Sequence, residues 1–135
     1  LVPLPESPPA RTAAQRQAAD IRLVPVDPDD GPALYRAACD VLLTAPAGAA
    51  SVAAAIAGVP LVHLPPENDF ERQTARYFEA HGMSLSANSL SEAASLALSL
   101  AKDADVQEAM LSAQRGAFVP DAAERIVRYL HEGRI

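Results

Sequence analysis

Residues 40–64, DVLLTAPAGAASVAAAIAGVPLVHL, decide the fold. The run begins with a short apolar stretch of strand length, the signature of a strand buried on both faces. Turn residues APAG follow, and then AASVAAAIA, rich in the best helix former. Gly58 stands where a helix needs a left-handed residue to stop, and VPLVHLP supplies a second buried strand. Strand, turn, helix, glycine and strand in this order are one parallel unit joined by a crossover helix.

Working outward, the same alternation continues. The loop PEND leads to a helix over about 70–81, with Asp69 as its N-cap and Gly82 as its stop. MSLS reads as one more short strand. Ser89 with Glu92, and Asp121 with Glu124, have capping-box spacing, so late helices begin near Leu90 and Ala122, with another over 106–115. Upstream, IRLVPV reads as a strand that Pro25 keeps from a central position, and DPDDGPALYRAAC supplies a turn and a short helix over 32–39. The proline-rich lead, residues 1–20, ends in a helix from about 9 to 20, because proline is tolerated where the first amides lack partners. Strands alternating with helices of this length predict an α/β fold, a Rossmann-like parallel sheet with helices on both faces. Three to five strands are few for a complete doubly wound domain, and the chain starts at Leu1 without methionine, so a domain cut at its front is expected.

Composition narrows the partners. A net charge of -6, with Lys102 the only lysine, leaves no basic stripe to displace counterions, which argues against nucleic acid and anionic membrane surfaces. The apolar run 45–64 is long enough to span a bilayer, yet Pro46, Gly48, Gly58 and Pro60 break it, so it reads as core. One cysteine, Cys39, excludes an internal disulfide and points to a reducing, cytoplasmic setting, although a cysteine-poor secreted domain would look the same. It has no basic neighbour in the sequence to activate it and reads as a small buried hydrophobe. Asp27, Asp29 and Asp30 lack further carboxylates at loop spacing and read as turn and cap residues, so no metal is expected.

In parallel sheets ligands gather at the carboxyl ends of strands. Two loops qualify, 45–50 and 65–69, and as neighbours they are expected to flank one crevice. The first runs into a helix whose leading amides, near Gly48 to Ser51, carry about half a positive charge. Small side chains there would let a phosphate approach the backbone, with Ser51 adding a hydroxyl. Close packing of an Ala-rich helix on the sheet explains the same residues, and PAGAAS is neither a dinucleotide nor a Walker loop. His63 reads either as a packed, hydrogen-bonded histidine or as a ligand contact at the crevice edge. His81 and His131 sit near helix ends, where a cation complements the dipole.

The segments DPDDGPALYRAACDVLLTAPAGAASVAAAIAGVPLVHLP and ENDFERQTARYFEAHG, with the tail SAQRGAFVPDAAERIVRYL, resemble the nucleotide-sugar-binding C-terminal half of GT-B glycosyltransferases. The layout is similar to that of transferases acting on the lipid-linked peptidoglycan precursor and related UDP-sugar enzymes. The resemblance covers residues 27–130 and implies a GT-B-like domain over 21–135. It implies an inverting transfer of a hexosyl group from a UDP-sugar to a hydroxyl acceptor, without a separate cofactor. Gly48, Ala49, Ala50 and Ser51 would lie at the diphosphate and Glu71, Arg72 and Gln73 at the sugar or ribose, where His63, from its place at the crevice edge, is the further candidate contact. For Glu71 a solvated first-turn carboxylate is the alternative reading, and for Arg72 and Gln73 a plain surface position. The acceptor domain, or a separate acceptor-binding subunit, would hold the catalytic base, and peripheral membrane association would come only through that missing half. No catalytic residue is expected here, and the isolated domain is expected to be inactive.

The sequence departs from that family where its paired glycines become Pro46 and Ala47, and where its ribose-binding glutamate becomes Ala53. Losing one charge-assisted hydrogen bond costs about 1.5 to 3 kcal/mol. These departures define a second expectation, a degenerate GT-B-like module that no longer binds nucleotide and serves as a partner-binding subunit. A sugar-nucleotide epimerase or hydrolase is a third, since fold does not fix reaction.

Overall fold

The computed structural model describes residues 39–119 and 121–132. The expected helices over 9–20 and 32–39, the strand IRLVPV and the aspartates at 27, 29 and 30 lie outside these residues, apart from Cys39. Within them the chain is α/β: β1 (Leu42–Thr44), α1 (Gly48–Ala57), β2 (Leu61–His63), α2 (Asp69–Ala80), β3 (Leu85–Ser86), α3 (Leu90–Leu100), α4 (Ala104–Ala117) and α5 (Ala122–His131). The three strands are parallel in the order β1-β2-β3. Leu42 pairs with Leu61, and Val62 with Leu85. Only the middle strand, β2, is buried throughout. β1 was expected to be enclosed on both faces, yet all three of its residues are half-buried, because among the described residues it lies at the sheet edge.

Two glycines end the crossover helices in the same way. At the end of α1, Gly58 takes φ 70°, its N–H donates to the Ala55 carbonyl at 3.1 Å and the Val59 N–H to the Ala54 carbonyl at 3.2 Å. At the end of α2, Gly82 takes φ 68°, with Gly82 N–H to Glu79 O at 3.0 Å and Met83 N–H to Phe78 O at 2.8 Å. Both are Schellman motifs, and in each the residue after the glycine, Val59 or Met83, turns into the core before the next strand. A side chain at either glycine would force the left-handed region on a residue that resists it.

Helix starts follow the capping rules with two corrections. The N-cap of α2 is Asn68, whose side chain accepts from Glu71 N–H at 2.9 Å; Asp69 is already the first helical residue. Asp121 caps nothing with its side chain, because its backbone (φ -95°, ψ 19°) is not in the extended conformation that aims a cap carboxylate at the helix amides. Ser89 caps α3 as its spacing predicts, and the Glu92 carboxylate reaches back to Asn88 N–H at 2.8 Å.

The core joins Leu61 and Val62 of β2 to Ala54, Ala55, Phe78, Met83, Ala93, Leu100 and Met110. α1 packs on β1 and β2, α2 on β3, and α3 on β1 and β2. α4 crosses the amino ends of the strands. Its Met110 sulfur accepts from Leu61 N–H at 3.2 Å, and its Gln114 Nε2 donates to the carbonyls of Val59 (3.2 Å) and Met83 (3.0 Å). One amide thus holds the two equivalent positions that follow the Schellman glycines. Among the described residues no helix is long and apolar enough to cross a membrane.

Candidate functional site

Both crossovers run in the same direction across the sheet, and right-handed connections of that kind place α1 and α2 side by side on one face. His63 touches both, Ser51 of α1 and Phe78 of α2, as this arrangement requires. The described strands contain no reversal of order, so the expected crevice is not that of a topological switch point. Between the two helices runs a surface groove of about 460 Å³, lined by Gly48, Val52, Phe70, Gln73, Tyr77 and Phe118 among others.

At one end of the groove is the mouth of α1. Its N-cap, Ala47, is extended (φ -78°, ψ 130°) and offers no side-chain hydrogen bond, whereas α2, α3 and α4 are capped by Asn68, Ser89 and Asp103. The first helical bond runs from Ser51 N–H to Ala47 O at 2.9 Å. The preceding amides, of Gly48, Ala49 and Ala50, therefore have no intrahelical acceptor and no cap, and they carry the positive end of the helix dipole. The exposed phenyl ring of Phe70 lies beside Gly48: a methyl group there would meet Phe70 Cζ at 3.4 Å, an ordinary van der Waals contact. Pro46 and Ala47, which replace the resemblance's glycines, take ordinary backbone angles, since no described residue other than glycine has positive φ.

The structure distributes the expected site residues unevenly. Ala49 is exposed at the mouth, with Gly48 and Ala50 half-buried beside it. The Ser51 hydroxyl faces inward: the residue is fully enclosed and its Oγ lies 2.9 Å from His63 Nε2. His63 is equally buried, and its Nδ1 lies 3.2 Å from Ser84 Oγ. Two residues expected at different parts of a ligand thus bond to each other. Glu71 Oε2 accepts from Glu67 N–H at 2.8 Å, which completes the α2 cap with Asn68. Arg72 pairs with Asp69 on the surface, a contact worth under about 1 kcal/mol. Of the 71–73 segment, only Gln73 lines the groove.

Burial lowers the His63 pKa from 6.5 to about 4, so the imidazole is neutral near pH 7 and donates from one nitrogen while accepting at the other. Phe78 meets it edge-on at a centroid distance of 5.4 Å. Cys39 is half-buried, and burial raises its thiol above the ordinary value. His81 bonds the Tyr77 carbonyl from Nδ1 at 2.7 Å. Among the described residues no three His, Cys, Asp or Glu come together as a metal site.

Sequence reasoning missed the aromatic wall, Ser84 and Gln114. Gln114 did leave a signal, since it stands four residues after Met110 on the stripe of α4 that enters the core. Ser86 was missed as well. Its hydroxyl is enclosed without a hydrogen-bond partner, on the same sheet face as His63, its register partner. Ser86→Ala is expected to raise stability by about 1 kcal/mol, because it deletes a desolvated, unpaired hydroxyl. Urea denaturation checks this; a loss of stability would mean that the hydroxyl is satisfied in solution.

No protein-family model matches the chain, and no curated protein or solved structure is significantly similar to it.

Proposed function

We propose that this chain is the donor-binding half of an inverting GT-B glycosyltransferase that uses a UDP-sugar. The observation that carries the reading is the uncapped mouth of α1, with the amides of Gly48, Ala49 and Ala50 opening beside the aromatic groove. The diphosphate sits on those amides, where the helix dipole and free donors favour an anion. As the acceptor oxygen attacks the anomeric carbon, the sugar–phosphate bond breaks and its electron pair leaves with UDP. The mouth stabilises that growing charge. The proton of the acceptor hydroxyl goes to a base in the acceptor half. Gln73 is the polar side chain of the 71–73 segment placed to meet the donor along the groove.

Titration calorimetry with UDP and UDP-sugars tests this reading, and heat at millimolar nucleotide or below is the expected result. Ala49→Asp sharpens the test, because Ala49 is exposed whereas Ser51 is enclosed. A carboxylate in the first turn suits the helix dipole and leaves stability within about 0.5 kcal/mol, yet it repels a diphosphate and weakens UDP at least about tenfold. Equal affinity in both proteins would place the nucleotide elsewhere.

A second reading, a degenerate module that binds a partner, is favoured by a different observation. Ser51 and His63 spend their side-chain polar atoms on each other and on Ser84, and α5 exposes Ile126, Val127, Tyr129 and Leu130. Under that reading UDP gives no heat, and Ala49→Asp changes nothing.

A further inference from the structure

The Ser51–His63–Ser84 cluster ties α1 to the end of β2 and to the entry of β3. Ser51 belongs to the first turn of α1, directly after the three unbonded amides. His63 is the last residue of β2, and Ser84 immediately precedes β3. The two bonds, 2.9 Å and 3.2 Å, leave the imidazole from opposite nitrogens, and Phe78, a groove-lining residue, packs edge-on against the ring. We infer that His63 is a positioning residue: by bonding Ser51 and Ser84 at once it latches the first turn of α1 to the rest of the sheet and sets where the mouth amides point. The inference rests on the proposed function only for the identity of the ligand.

Physical chemistry gives the latch its condition. A neutral imidazole offers one donor and one acceptor, and each serine hydroxyl can take either role. A charged imidazole in the same place would be a buried cation. α1, β1 and β3 bring no charged side chain to the ring. On α2, the Glu71 carboxylate is held by Glu67 N–H, Arg72 is paired with Asp69, and Tyr77 packs against His81; Arg76 and Glu79 are exposed. On α3, Glu92 is held at Asn88, and on α4, Arg115 pairs with Glu108. Burial is the cause of the lowered pKa. Protonation makes both ring nitrogens donors, so the serine hydroxyl that had donated to the ring must turn to accept, and the buried charge beside Ser51 is felt at the mouth.

A ¹H–¹⁵N NMR titration of the chain tests this, following native-state peaks from pH 6.5 toward about 4. The amides of Gly48, Ala49, Ala50 and Ser51 are expected to shift with the same midpoint as the His63 ring. In His63→Phe that titration disappears from the amides, and UDP binds about five- to tenfold more weakly. Should His63→Phe not fold, Ser84→Ala cuts the far bond alone; it is expected to move the same four amides and to weaken UDP in the same direction. Mouth amides that ignore the ring's titration overturn the latch, as does Ser84→Ala with wild-type shifts at all four. If wild type binds no UDP, the proposed function fails, while the amide titration still decides the latch.

Discussion

Acidification from pH 6.5 to about 4 is expected to remove roughly 3 kcal/mol of folding stability through His63 alone. The folded-state pKa lies below the unfolded one, so the unfolded chain takes up the proton first. The contribution is complete above pH 6.5, declines as pH falls through the window, and is gone below about 4. The comparison that isolates the imidazole is His63→Phe. That variant loses two buried hydrogen bonds and is less stable at neutral pH, but its stability should be flatter between pH 6.5 and 4 by about the same 3 kcal/mol. Urea denaturation at half-unit pH steps reads the difference directly. Parallel curves for the two proteins would mean that His63 carries its charge in the folded state.

The second large effect belongs to Gln114. Its Nε2 donates to two carbonyls at the entries to β2 and β3, and the residue has no solvent exposure. Gln114→Leu keeps the volume and removes both donations. Each desolvated carbonyl left without a donor costs about 1–3 kcal/mol, so a loss of roughly 2–4 kcal/mol is expected. Removing the amide oxygen, which has no partner, offsets a small part of this. Gln114→Glu should be worse, because it retains the acceptor atoms, loses the donor and buries a carboxylate. A change below about 0.5 kcal/mol in Gln114→Leu would show that water or backbone movement satisfies Val59 and Met83 instead.

These two residues mark where the sequence is legible and where it is not. Gly58 and Gly82 announce their helix ends because only a left-handed residue completes a Schellman motif, and that chemistry is local. The same holds for Ser89, whose hydroxyl finds an amide three residues on. Asn68 and Asp69 are both good cap formers; Asn68 has a glutamate three residues later, and that spacing, overlooked in the sequence, selects it. Asp121 has the spacing without the backbone, which no residue type reveals. The inward turn of Ser51 was legible in principle, since it shares a helical stripe with Ala54 and Ala55, both buried. Its partner was not, because the strand–helix geometry that brings His63 to Ser51, twelve residues apart, leaves no local trace. Phe70 lying beside Gly48 and Gln114 spanning two loops are likewise products of packing between elements.

The mouth of α1 is therefore read from two directions: from the sequence as a run of small residues that leaves the backbone open, and from the structure as a helix start without a cap. The direct measurement is an NMR titration of the chain with UDP at neutral pH, observing every backbone amide. The largest shifts are expected at Gly48, Ala49 and Ala50, with smaller ones at Phe70 and Gln73 along the groove. Saturable shifts confined to another face, or no shifts at millimolar UDP, would contradict the account.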